Sequence, residues 1–173
     1  RWYSIGNMFR YERPQKGRLR EHYQLNVDIF GIAGVEAEAE VIQVAYEIMR
    51  TFGMDDKSFE IRINSRKIMN YIIGTLLGQS GADARKTAGL IDRRAKMEKE
   101  AFDAAVSEHL GENDRLLLTL LNSQNFEEFI SRLPKEKELE AVLQEVKTLI
   151  EELNALGITN VVFDQTLMRG FDY

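Results

Sequence analysis

Apolar and polar residues alternate through "HYQLNVDI", residues 22–29. Tyr23, Leu25, Val27 and Ile29 fall on one face, and Gln24, Asn26 and Asp28 on the other. A period of two predicts a strand. The aromatic-rich run "RWYSIGNMFRYE" before it predicts a second strand reaching Glu12. Between them "RPQKGR" is punctuated by Pro14 and Gly17, which predicts a turn and so an antiparallel hairpin. The period then changes. Val35, Val41, Ile42, Ala45, Ile48, Met49 and Phe52 recur at helical spacing, and Gly53 is a natural stop. "SFEIRIN" predicts a third strand, and Ser65 can cap a helix through "RKIMNYIIGTLL".

Charged residues crowd the next stretch, which predicts a helical module over 74–133, closed by Pro134. A long helix follows, with Leu139, Val142, Leu143, Val146, Leu149, Ile150 and Leu153 as its stripe and Gly157 as its end. "ITNVVFD" predicts a last strand, and "QTLMRGFDY" leads out of it. The order β-β-α-β-α, helical module, α-β predicts an α+β fold with a largely antiparallel sheet backed by helices. Its expected parts are 1–73, the module 74–133, and 134–173.

The 173 residues suffice for one substantial core. Cysteine is absent, which excludes disulfides and thiolate metal sites. No apolar run approaches the roughly 20 residues of a membrane helix. No signal peptide opens the sequence, so a cytoplasmic protein is the expectation. The chain does not start with Met and ends on "MRGFDY", which suggests an internal segment of a longer protein.

Charge changes the picture more. The net charge is −5, yet residues 1–31 hold six Lys/Arg against three acidic residues. Arg10, Arg13, Lys16, Arg18 and Arg20 lie in or beside the predicted turn. Such asymmetry argues for a local anion site rather than a general coat for nucleic acid. A guanidinium presents a rigid fork matched to phosphate oxygens. Arg10, inside an aromatic strand, and Arg18, in the turn, could reach one triphosphate from different angles. Glu12, on the same strand face as Arg10, could accept from an exocyclic amine. Arg13, Lys16 and Arg20 are read as solvated turn cations. Arg169 precedes Gly170; it either pairs with Asp172 or Glu12, or faces charge developing in a transition state. His109 ends a charged helix and suits a C-terminal cation. His22 could be a base, a stacking platform or a surface residue. No metal motif, catalytic triad, Walker loop or GxGxxG is present, so any ATP site is not built on a P-loop.

"FRYERPQKGRLREHYQLNVDIFG" resembles motif 2 of class II aminoacyl-tRNA synthetases, in the form found in the histidyl-tRNA synthetase family, and "LMRGFDY" resembles that family's own signature. The two come in the family's order, and with "INSRKIM" and the helical module the resemblance covers essentially the whole chain. It implies a ligase that activates L-histidine with ATP and Mg2+ to histidyl-adenylate, then charges histidine tRNA. By residue, it implies that Arg10 holds the α-phosphate and the substrate carboxylate, Glu12 the adenine amine, and Arg18 the terminal phosphate. Gln24 and Asp28 would bind the amino acid, Asp28 at its imidazole. Arg169 would face the α-phosphate, and Tyr173 would line the histidine pocket. His22 stands where the family often has a Phe that stacks on adenine. The resemblance further implies a homodimer for the full-length protein, and a module that approaches the tRNA acceptor arm. Motifs 1 and 3 are absent from these residues, so the segment alone is expected to charge little or no tRNA. Two rival readings share the fold: the regulatory subunit of ATP phosphoribosyltransferase, and a regulatory domain that binds uncharged tRNA.

Overall fold

A computed structural model of the chain describes residues 1–13 and 15–168. Strands β1 (Trp2–Phe9) and β2 (Glu21–Asp28) form the expected antiparallel hairpin. β1 stops at Phe9 rather than Glu12, although the Arg10 amide still donates to the Arg20 carbonyl at 2.9 Å. At the tip, Gln15 and Arg18 pair around Lys16 and Gly17. Gly17 has φ +76°, a left-handed backbone that glycine adopts without steric cost.

Helix α1 (Glu36–Thr51) follows. Its inward face differs from the expected stripe. Ala39 is buried, Ile42 and Tyr46 pack against it, and Phe52 is 83% exposed. β3 (Ile61–Ile63) leads into α2 (Arg66–Tyr71), where the Ser65 hydroxyl accepts from the Ile68 amide as the capping reading requires. The helix then widens into a π turn over Ile72–Leu76. The module comprises α3 (Gly81–Arg93), α4 (Lys99–Leu110), α5 (Asp114–Leu121) and α6 (Phe126–Ser131). The long α7 (Lys137–Ala155) and the short β4 (Val161–Phe163) complete the order.

The sheet departs from expectation. Instead of one largely antiparallel sheet there are two pairs, β1–β2 antiparallel and β3–β4 parallel. A parallel pair needs a long crossover, and everything from α2 to α7 supplies it. The fold is α+β with small sheets.

Helix α7 organises the interior. Leu139, Leu143 and Val146 join a core with Met69, Phe102, Leu117, Phe129 and Phe163. One turn further on, Leu149 and Leu153 join a second cluster with Ala39 and Ile158. Burying each such side chain removes enough apolar surface to stabilise the fold by about 2 kcal/mol. The first core runs without a break from α2 through the module to α7 and β4. The hairpin stands apart: no described residue of β1, β2 or the turn is buried. An ion pair between Arg1 and Glu40 ties its start to α1. No helix among the described residues is long and apolar enough to cross a membrane.

Candidate functional site

The ladder of the hairpin fixes which side chains can meet a ligand. Trp2 faces Asp28, Ser4 faces Asn26, Gly6 faces Gln24 and Met8 faces His22. Side chains two apart on a strand share a face. His22, Gln24, Asn26 and Asp28 therefore form one row, and Arg10, two residues beyond Met8, continues the facing row. The opposite face carries Tyr3, Ile5, Tyr23 and Leu25, all exposed. Tyr3, Ile5 and Leu25, with Val27 and Val44 of α1, border a cavity of about 360 Å³.

Gly6 decides the shape of the polar face. Opposite Gln24 it offers no side chain, and a Cβ built there would lie 3.2 Å from Met8 Cε. The Met8 side chain thus leans over the Gly6 backbone beside Gln24, in the space a larger residue would need. Gln24 Nε2 donates to Asn26 Oδ1 at 2.7 Å. His22 Nδ1 is screened from solvent and has no hydrogen-bond partner among the described residues. A buried polar atom without a partner is uncommon in a folded protein, and a bound molecule is one way to supply one.

At the other end of the row the cations are partly committed. Arg10 Nε donates to the Leu19 carbonyl at 2.8 Å, which holds the fork at the neck of the hairpin. Arg18 pairs with the Glu12 carboxylate, and this hydrogen bond holds the Glu12 carboxyl below its usual range. Arg20, read from the sequence as a solvated cation, donates to the Glu12 carbonyl at 3.0 Å. Its guanidinium also lies 5.9 Å from the centre of the Tyr11 ring. Glu12 is therefore gripped through its side chain by Arg18 and through its backbone by Arg20. The set is three guanidinium groups, one carboxylate and a row of imidazole, amide and carboxylate groups. Such groups suit a polyanion joined to a small molecule rich in N–H donors.

Among the candidates, Arg10, Glu12, Arg18, His22, Gln24 and Asp28 come together on one hairpin. Arg169 and Tyr173 lie outside the described residues. The approach to them is held by three side chains. Asn64 Nδ2 donates to the Leu167 carbonyl at 2.9 Å, and Asp164 accepts from Thr166 and Arg62. Gln165 donates to the carbonyls of Leu121 and Ser123, each at 3.0 Å. His109 sits in the last turn of α4, as expected. Its Nε2 lies 3.0 Å from Thr87 Oγ1 and 3.2 Å from the Asp83 carbonyl, so it joins α4 to α3. No group of three or more His, Asp or Glu is assembled as a metal site among the described residues. Sequence reasoning passed over Asn26 as a site residue, although the same alternation that picked out Gln24 and Asp28 puts it between them.

A family model described as histidyl-tRNA synthetase matches residues 1–173. The histidine–tRNA ligase of Leptospira biflexa is 33% identical over 181 residues, covering 100% of this chain and 40% of that protein. That of Thermoplasma volcanium is 35% identical over 175 residues with the same coverage. The chain spans about 40% of the length of the curated relatives it matches. Among solved structures, histidyl-tRNA synthetase from Nostoc sp. PCC 7120 superposes with a TM-score of 0.81 at 19% identity, over 99% of this chain and 41% of that one. A structure from Bacillus halodurans, described as an ATP phosphoribosyltransferase regulatory subunit/histidyl-tRNA synthetase, gives 0.75 at 20% identity, over 95% and 43%. At these identities the structural likeness shows the fold.

Proposed function

Since the chain belongs to the histidyl-tRNA synthetase family, we propose that the protein carrying it is a histidine–tRNA ligase. It joins L-histidine to the α-phosphate of Mg·ATP, releasing pyrophosphate, and transfers the histidyl group from that adenylate to the 3′ end of histidine tRNA, releasing AMP. The observation that carries this reading is the shared row of His22, Gln24 and Asp28, flanked by Arg10.

In the proposed reaction the histidine carboxylate attacks the α-phosphorus and the bond to pyrophosphate breaks. Arg10 binds both the carboxylate and the α-phosphate, bringing the reacting atoms together while offsetting their charge. Arg18 takes the terminal phosphate and Glu12 the adenine amine. The ion pair between Arg18 and Glu12 must therefore open as nucleotide binds. His22 lies against the adenine through the face of its ring. Gln24 and Asp28 receive the amino acid, and a pocket that hydrogen-bonds both imidazole nitrogens rejects side chains lacking them by roughly 10⁴-fold. Arg169 is assigned to the α-phosphate and Tyr173 to the histidine pocket. The module over 74–133 faces the tRNA acceptor arm, the full-length protein is a homodimer, and it works in the cytoplasm. The exposed edges and apolar face of the hairpin suit a larger antiparallel sheet, completed by the remaining length seen in the relatives.

The regulatory-subunit reading has one observation in its favour: the Bacillus halodurans neighbour bears both descriptions. Histidine-dependent ATP–pyrophosphate exchange by the full-length protein separates the two. Exchange that Arg10→Ala abolishes supports the ligase. Histidine binding without exchange would leave the regulator.

A further inference from the structure

Gln24 alone does not define a recognition group. Its amide carries two donors on nitrogen and two acceptor positions on oxygen, and a free side chain presents either. In this hairpin the choice is made by a neighbour. Gln24 Nε2 donates to Asn26 Oδ1 at 2.7 Å, along the same row of β2. That bond turns the nitrogen toward Asn26 and leaves the carbonyl oxygen, on the other arm of the planar amide, directed away from it. Asn26 is itself half-buried opposite Ser4, while Gln24 and Asp28 on either side of it are exposed.

We propose that Asn26 is a positioning residue: it fixes the Gln24 amide so that the row presents two acceptors, the Gln24 carbonyl and the Asp28 carboxylate. A ligand matched to this row carries N–H donors at two points and an anionic group for Arg10. An α-amino acid with a nitrogenous ring fits that description. The inference rests on the ligase reading above and extends it to a residue that touches no substrate. Asn26 acts through orientation, so its loss affects the amino acid and not the nucleotide.

The test is exchange kinetics on the full-length protein, with Michaelis constants for histidine and ATP measured separately. Asn26→Ala is expected to raise KM for histidine about tenfold while leaving KM for ATP within about twofold. Asn26→Asp, which keeps an acceptor oxygen and loses the amide donor, is expected to recover most of that loss. In a Gln24→Ala background, Asn26→Ala is expected to add nothing further, because the residue acts through Gln24. Three results overturn the proposal: an unchanged KM for histidine in Asn26→Ala, equal rises in both Michaelis constants, or an Asn26→Asp variant as impaired as Asn26→Ala. Absence of exchange in the parent protein would instead remove the ligase reading, and this inference with it. A parent that exchanges while Asn26→Ala is silent removes the inference alone.

Discussion

Gln165, just after β4, and Leu121, at the end of α5, are joined by a 3.0 Å hydrogen bond from the Gln165 amide to the Leu121 carbonyl. The same nitrogen reaches the Ser123 carbonyl at 3.0 Å. A helix leaves its last carbonyls without partners inside the helix. Here they are met from outside, because Arg94 also donates to Leu121 and Arg132 to Thr119. One buried side chain thus fastens the end of α5, within the helical module, to the segment after β4.

Replacing Gln165 by Leu keeps its bulk and removes both bonds. The Ser123 carbonyl then loses the donor that Gln165 supplies, and a buried polar group left unpaired costs about 1–3 kcal/mol. Urea unfolding of Gln165→Leu should show a loss of that size with an unchanged slope. A midpoint equal to that of the parent would mean that water or another side chain meets those carbonyls.

The rings of Phe126 and Phe129 lie 4.6 and 5.1 Å from that of Phe163, joining α6 to β4. Phe129 is fully buried. Its truncation leaves a cavity where α6, α7 and β4 meet, so Phe129→Ala should destabilise by about 3–5 kcal/mol. Phe52→Ala removes an equally large ring, but one that is 83% exposed, and should cost about 0.5 kcal/mol or less. Similar losses in the two variants would contradict the inward face assigned to α1.

The contrast between Phe129 and Phe52 also marks what could be read in advance. The stripe of α7 was legible because nineteen residues repeat one period: Leu139, Leu143, Val146, Leu149 and Leu153 are all buried. The Ser65 cap and the Gly157 stop, with φ +82°, follow from local chemistry in the same way. The sharing of one face by Gln24 and Asp28 needed only alternation. The direction of the β3–β4 pair was not legible. Each strand has three residues, and its partner lies about a hundred positions away, so no local pattern states parallel or antiparallel. Nor was the π turn at Ile72–Leu76, where the wider winding lets Ile72, Ile73 and Leu77 all face the interior. Within the site, residue types and the shared face could be read. The Glu12–Arg18 pair and the Asn26–Gln24 bond could not, because side chains choose among several partners within reach.

Acid should loosen the segment after β4. Burial acts to raise the Asp164 carboxyl, but donors from Thr166, with Arg62, outweigh it and hold the group below its usual range. A carboxyl whose folded value is depressed contributes stability that is present above its unfolded value, near 3.9, and lost as pH falls through the folded value. Asp164→Asn should therefore lower stability at neutral pH and flatten its fall below about pH 4. Thermal midpoints of parent and variant across that range check this. Parallel curves would show that Asp164 does not carry the acid sensitivity.

Arg18 gives the sharpest separation of folding from function. Its pair with Glu12 is exposed on both sides, and exposed pairs contribute little to stability. Arg18→Ala should then leave the unfolding midpoint nearly unchanged. Nucleotide binding should respond strongly, because the charge proposed to meet the terminal phosphate is gone. A rise of about tenfold or more in KM for ATP is expected, with a much smaller change for histidine. Glu12→Gln acts differently. It releases Arg18 from its partner while keeping a carbonyl that can accept from the adenine amine. Its KM for ATP should therefore change far less than that of Arg18→Ala. If Arg18→Ala binds ATP as the parent does, the turn cations serve some other anion, and the hairpin's part in nucleotide binding falls to Arg10.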